Sequence, residues 1–359
     1  MAITFPSLNA LLDHGFDTLI DVRSPAEYAE DHIPGAINLP ALSNAERIEV
    51  GTIYTQVSPF AARKIGAAMV ARNVAAHLEG PLAGHHGGWR PLVHCWRGGQ
   101  RSGSFAGILQ QIGWRADTIA GGYKTYRALV RAALYDDPLT HRLILLDGYT
   151  GTAKTALLPR LAALGAQVID LEGMAEHRGS LLGGSAGGGA GGSAGGQPSQ
   201  KAFESRLAAA LAGCDPARPV IAEAESSKIG RITLPPSLWT ALCAAPRVEI
   251  TAPLPARAAY LAAAYADIAA DPTRLVAQLD QLRVFRGHAA VDGWIALLAA
   301  QDLTGLATAL MRDHYDPAYA KSRSQHSHGV IAALATDRLD PAALDSLARA
   351  ILAALSSTA

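Results

Sequence analysis

Short, nearly continuous apolar runs alternate along this chain with longer stretches in which apolar residues recur at helical spacing. Thr18-Leu-Ile-Asp21-Val22, Pro91-Leu-Val-His-Cys95, Leu143-Ile-Leu-Leu-Asp147, Gln167-Val-Ile-Asp170-Leu171, Pro219-Val-Ile-Ala-Glu223 and Arg247-Val-Glu-Ile250 read as strands. Runs this short and this apolar suit parallel strands covered on both faces. A turn through His32-Ile-Pro34-Gly35-Ala36 leads into a further strand ending near Pro40. Helices are expected from Pro25, through most of Asn44–Leu78, after the Cys95 loop to Ile112, from Tyr123, over Ala156–Leu164, and from Pro255 to Ser357. The fold class predicted is α/β. Asp136-Asp-Pro138 breaks a helix and divides the chain, giving domains at 1–133 and 140–254 with a helical C-terminal region at 255–359. The glycine-rich run 183–196 has no side chains to pack and reads as a flexible insert.

Two strand–loop–helix junctions carry candidate chemistry. In the first, Cys95-Trp96-Arg97-Gly98-Gly99-Gln100-Arg101-Ser102 follows an apolar strand and opens a helix. Loop amides and the positive helix end favour an oxyanion there, and favour thiolate over thiol at Cys95. A buried structural cysteine would not need two arginines and two glycines beside it. In the second, Gly148-Tyr-Thr150-Gly151-Thr152-Ala153-Lys154-Thr155 has the spacing of a phosphate-binding loop between a strand and a helix. Lys154 would reach terminal phosphates and Thr155 would hold magnesium. Ala153 stands where that pattern has glycine. Its methyl group costs roughly 1 kcal/mol if φ is positive, or narrows the backbone's approach to phosphate. Asp170, Glu223 and Glu225 are acidic candidates for the same magnesium, with a helix cap as the plain alternative for Asp170.

Composition narrows the partners. The 359 residues are 49% hydrophobic with formal net charge zero, so any polyanion must be met by local patches. Three cysteines without paired or metal-ligand spacing fit a reducing cytoplasm. No apolar run approaches membrane-spanning length, and the N-terminus does not read as a signal peptide.

The chain resembles the bacterial tRNA 2-selenouridine synthases. Asp21-Val-Arg23-Ser24-Pro25-Ala-Glu27-Tyr28 and His32-Ile-Pro34-Gly35-Ala36 are similar to rhodanese markers. The match narrows with the Cys-Trp-Arg-Gly-Gly-x-Arg-Ser loop, with Glu46-Arg-Ile-Glu-Val-Gly51-Thr-Ile-Tyr54 and with the phosphate loop. Asp170-Leu-Glu172-Gly173, His177-Arg178-Gly179-Ser180, Gln197-Pro-Ser-Gln200, the segment Glu223–Arg231 and His314-Tyr315-Asp316-Pro317-Ala-Tyr319 extend it along nearly the whole chain. The resemblance implies a rhodanese-like domain followed by a P-loop α/β domain with a parallel sheet. It implies replacement of sulfur by selenium at C2 of a wobble 2-thiouridine, with selenophosphate as donor. It also implies an S-geranyl intermediate made from geranyl diphosphate; no tightly bound cofactor is expected, and magnesium enters only as the ion the phosphate loop could hold.

On this reading the Cys95 loop takes selenophosphate, and the Cys95 thiolate is expected to carry selenium as a selanylsulfide and deliver it to C2; direct attack by selenophosphate, with Cys95 only assisting, is the competing route. The phosphate loop takes the diphosphate. Phosphate contacts to tRNA are expected from Arg178, Lys201, Lys228, Arg231, Arg312, Lys321 and Arg323, with Tyr315 or Tyr319 for stacking. His326 and His328 lack the further spaced ligand that a metal site needs. Trp96 packs against a base, a prenyl chain or the core. A rhodanese-type sulfurtransferase with a phosphate-binding domain is the alternative; it leaves the second loop without a task, as a small-molecule kinase does the first.

Overall fold

A computed structural model describes residues 1–178, 196–323 (side chains to 320) and 329–356. The 183–196 insert therefore lies outside the described residues except for Gly196, as do the side chains of Lys321 and Arg323 and the pair His326 and His328. Two compact units emerge. The first is Met1–Pro138 together with Pro198–Gly213; the second starts at Leu139 and takes in the chain from Cys214 onward.

The first unit is built on five parallel strands: β1 (Ala2–Ile3), β2 (Thr18–Asp21), β3 (Ile37–Asn38), β4 (Pro91–His94) and β5 (Asp117–Ile119). Their order is β1-β5-β4-β2-β3, and the β2–β4 register sets Asp21 opposite His94. The core around them gathers Ile20, Val22, Val93, Phe105, Leu109 and Trp114. The long helical stretch is two helices, Asn44–Gln56 and Pro59–Glu79. Pro59 forces the restart, and Ser58 caps the second helix by accepting from the Phe60 and Ala61 amides.

Helix Gln200–Ala212 also packs in this unit, although it falls within the 140–254 span that the sequence assigns to the second domain. Phe203, Leu207 and Leu211 are buried there. Its polar residues decide the location. The Ser205 hydroxyl donates to the buried Asp31 carboxylate at 2.9 Å, the Arg127 guanidinium binds Glu204, and Lys201 pairs with Glu30 at 2.6 Å. Unpaired, the buried Asp31 and Glu204 would be costly to desolvate.

The second unit contains β6 (Leu143–Asp147), β7 (Gln167–Ile169), β8 (Val220–Glu223), the small hairpin β9 (Lys228–Ile229) and β10 (Ile232–Thr233), β11 (Arg247–Thr251) and β12 (Val330–Ala335). Its main sheet is parallel in the order β12-β11-β6-β8-β7. Helices Lys154–Ala163 and Pro341–Ser356 cover it, burying Leu157, Leu161, Leu347 and Ile351 with Leu146, Ile221 and Val248. The C-terminal region is mostly helical as expected, with a second core around Leu279, Val291, Trp294 and Leu310. One correction applies: Val330–Ala335 is a strand on the edge of the sheet. Among the described residues no helix is long and apolar enough to cross a membrane.

Candidate active sites

In the first unit the Cys95 loop leaves the C-terminal end of β4 and enters helix Gln100–Ile112. The loop is clasped from below. The Tyr123 amide donates to the Cys95 carbonyl at 2.9 Å and the Lys124 amide to the Trp96 carbonyl at 2.9 Å. Gly98 has φ +64°, and a Cβ there would meet the Ile119 carbonyl oxygen at 2.6 Å, so only glycine closes the loop this tightly. The Gly99 amide donates to Cys95 Sγ at 3.3 Å, and Ser102 Oγ lies 3.3 Å from the same sulfur. Burial alone would push the thiol up. The Ser102 hydroxyl and the Ser102, Arg97 and Gly99 amides outweigh it and hold Cys95 below the ordinary thiol range. His94 next door is no base: burial pushes it down to about 4, so it is neutral.

The arginines of this loop divide. Arg97 and Gln100 are exposed. Arg101 instead donates to Glu27 at 2.7 Å, and Arg47 reaches the same carboxylate at 3.8 Å. Arg101 is therefore charge-balanced rather than a bare anion clamp, and Glu27 is a member of the site that sequence reasoning passed over. Trp96 is half-buried with its ring 5.2 Å from that of Tyr123. Cys95 itself is only 4% exposed.

In the second unit the phosphate loop runs from β6 into helix Lys154–Ala163. Ala153 has φ +60°, so the strained alternative is the real one, and its methyl packs inward against the core. Thr152 is buried and donates to the Tyr149 carbonyl at 2.9 Å, bracing the loop from inside. The Thr150 carbonyl accepts from Arg257 at 3.1 Å, and Lys154 Nζ donates to the Gly148 carbonyl at 2.8 Å. A Cβ on Gly148 would meet the Ile250 carbonyl at 2.6 Å, which ties the start of the loop to β11.

Thr155 is the pivot. Its hydroxyl lies 2.8 Å from Glu172 Oε2 and 2.8 Å from Glu223 Oε2. Glu172, Glu223 and Glu225 bring carboxylate oxygens within 4.8 Å of one another. Asp170 is not part of this group as a ligand: its carboxylate caps the next helix by accepting from the Gly173 amide at 2.7 Å. Glu172, two residues on, takes the place expected of Asp170. Burial first, then repulsion among the three, pushes their pKa values up, Glu225 to about 7. Three clustered hard oxygen donors beside a hydroxyl suit a divalent cation such as magnesium.

The sign of the pH dependence follows. A carboxyl group raised above its unfolded value near 4.3 holds its proton longer in the folded state, so this cluster's contribution to stability falls as pH rises from about 5 to about 8. A cation binding the deprotonated cluster reverses that trend. Thermal melts should show saturating magnesium raising Tm by about 5 °C or more at pH 8 and much less at pH 6. Equal shifts at both pH values, or the same shift in Glu223→Gln, would refute cation binding here.

Lys154, Thr155, Glu172 and Glu225 line one side of a cavity of about 650 Å³. Leu145, Trp239, Leu242 and Cys243 add apolar wall surface to the same cavity, as do Tyr260, Leu261, Tyr265 and Tyr319. Arg247 also lines it, 3.2 Å from Asp147, which accepts from the Tyr319 hydroxyl at 2.8 Å. Tyr319 and Tyr315 thus belong to the cavity lining. Of the other cations expected to meet RNA, Arg178 makes a bidentate pair with Asp267, Lys201 pairs with Glu30 and Arg312 with Asp313. Lys228 and Arg231 are exposed on the β9–β10 hairpin.

Comparison with known proteins fits both units. Residues 4–129 match the rhodanese-like domain and residues 141–292 match the tRNA 2-selenouridine synthase AAA domain. A protein of Verminephrobacter eiseniae named tRNA 2-selenouridine synthase is 32% identical over 349 residues, covering 87% of this chain and 91% of that one. Proteins of the same name from Nitrosomonas europaea and Chromohalobacter salexigens are 35% and 36% identical over 67% and 69% of this chain. Those matches span 61% and 65% of the two relatives' own lengths. The rhodanese-like thiol loop, the phosphate loop with its acidic cluster, and a relative matched over 87% of this chain agree: the chain belongs to the tRNA 2-selenouridine synthase family.

Proposed function

We propose that this chain is a tRNA-modifying transferase that replaces sulfur by selenium at C2 of a wobble 2-thiouridine. It works in the cytoplasm with geranyl diphosphate and selenophosphate as co-substrates. The observation that carries this reading is the second unit's cavity, which phosphate-loop residues and the carboxylates of Glu172 and Glu225 line together with apolar side chains. A diphosphate attached to a hydrocarbon chain has those two halves.

In the first step the thiocarbonyl sulfur attacks C1 of geranyl diphosphate as the C–O bond breaks, and pyrophosphate leaves, taking up the proton that the thiouridine loses from N3. Lys154 and the orphan amides at the start of helix Lys154–Ala163 receive the growing negative charge. For that, Lys154 must leave its bond to the Gly148 carbonyl. Thr155, Glu172 and Glu223 would hold magnesium, which supplies further charge neutralisation on the diphosphate. The apolar wall at Trp239 and Leu242 shelters the prenyl chain.

In the second step selenium must reach C2. A selanylsulfide on Cys95 is the less economical route. Selenium in selenophosphate is already fully reduced, so forming the S–Se bond while phosphate leaves releases two electrons that neither co-substrate accepts. Direct attack of selenophosphate's selenium on C2 balances. Geranyl thiolate departs with one proton, and water then cleaves the P–Se bond to give phosphate and the selenouridine. Cys95, held below the ordinary thiol range, is suited to donate that proton. Incubating the protein with thiolated tRNA and both co-substrates, then measuring nucleosides by mass spectrometry, tests the whole scheme. S-geranyl-2-thiouridine should accumulate when selenophosphate is left out and convert to 2-selenouridine when it is added. Formation of neither nucleoside would sink the assignment.

A further inference from the structure

The helical hairpin Asn44–Gln56 and Pro59–Glu79 serves neither loop chemistry directly. Its first helix buries no residue fully. Around the turn, Tyr54 is 56%, Val57 74% and Phe60 73% exposed. Side chains this apolar and this exposed, gathered at one tip, mark a contact surface.

Charge identifies what the surface fits. Between Glu49 and Glu79 there is no acidic residue, while Arg63, Lys64 and Arg72 are all exposed. Phe60 shares a helix face with Arg63 and Lys64, three and four residues on. Tyr54 lies two turns from Arg47 on the same face of the first helix. The second helix therefore sets an aromatic ring beside two cations, while Arg47 of the first helix is paired with Glu27. A second copy of this chain meeting tip to tip would set these cations against one another, and the tip between Val50 and Leu78 carries no carboxylate to pair them, which is unfavourable. Unstacked RNA bases and their phosphates satisfy both features. The base of the hairpin also adjoins the thiol loop, because Glu27 receives Arg47 from the hairpin and Arg101 from the loop.

We propose that the tip of this hairpin, with Tyr54 and Phe60 as stacking platforms and Arg63 and Lys64 as phosphate contacts, holds single-stranded RNA, on an element whose base adjoins the Cys95 loop. The proposal rests on the reading of tRNA as substrate and adds the surface that grips its unpaired loop.

Fluorescence anisotropy of the full chain with the substrate tRNA and with its isolated anticodon stem-loop tests it. Phe60→Ala and Tyr54→Ala should each weaken both complexes by about five- to a hundredfold, the range of one lost base stack. Lys64→Glu should weaken them and flatten the dependence of log Kd on log salt by about one. Arg115→Glu, exposed elsewhere on the same unit, should change little. Wild-type affinity in the Phe60 and Tyr54 variants, with wild-type protein binding tRNA, overturns this surface and leaves the substrate reading intact. Loss of a dimer in those variants with RNA affinity unchanged overturns it in favour of contact between copies. No binding of tRNA by the wild-type chain removes the substrate reading and the surface together.

Discussion

Lys154→Ala should slow S-geranylation of thiolated tRNA by about a hundred- to a thousandfold, the usual loss when one donor to a developing oxyanion is removed. Pyrophosphate carries several negative charges as it leaves, and Lys154 is the cationic side chain on the loop that would meet them. Its present bond to the Gly148 carbonyl at 2.8 Å shows the reach of the ammonium within the loop. Removing it also strips a strut from a loop already strained at Ala153, where φ is +60°. A modest drop in Tm should accompany the rate loss. Selenium transfer to tRNA that has been geranylated beforehand should stay within about threefold of wild type, because the Cys95 loop is built from another unit. Parallel rate measurements on thiolated and pre-geranylated tRNA make the comparison. Equal losses in both would contradict the assignment of one reaction to each loop.

How far the sequence disclosed this arrangement depended on whether the cause was local. The inner strands of both sheets were legible because burial on two faces writes an apolar run. Val330-Ile-Ala-Ala-Leu-Ala335 was not: its alanines suit a helix as well, and only pairing with β11 makes it a strand. Helix Gln200–Ala212 was not anticipated, and neither was its place. The partners that settle it, Asp31 for Ser205 and Glu30 for Lys201, lie 174 and 171 residues away in sequence.

The same division runs through the sites. Both loops announced themselves through glycine spacing between a strand and a helix. Asp170 and Glu172 could not be told apart as partners of Thr155 until the capping bond from Gly173 claimed the former. A signal did exist, since an aspartate three residues before a backbone donor at a helix start is a common cap. Arg178 looked like an open cation because Asp267 is 89 residues distant, whereas Asp313 beside Arg312 was in plain view. Tyr54 and Phe60 carried no sequence mark of exposure, because aromatic residues in a helix are more often core.

Cys95→Ser separates a covalent selenium carrier from a proton donor. If Cys95 carries selenium, serine leaves no sulfur to form the S–Se bond, and selenation of S-geranyl tRNA falls to background. If Cys95 only protonates the departing thiolate, the serine hydroxyl stays in the same cradle as a poorer acid. The rate then falls by about a hundredfold or more, the scale of general acid catalysis, yet product still forms. The geometry favours the second outcome. The sulfur is 4% exposed and engaged by the Gly99 amide and the Ser102 hydroxyl at 3.3 Å each, which suits a small proton movement better than a bulky covalent adduct. Ser102→Ala should push the Cys95 thiol upward and shift the alkaline side of the pH–rate profile in the same direction, since a donor to the thiolate is lost. Intact-protein mass spectrometry after selenophosphate treatment decides the matter independently: wild-type protein should gain no selenium on Cys95, and a stoichiometric adduct there would restore the carrier.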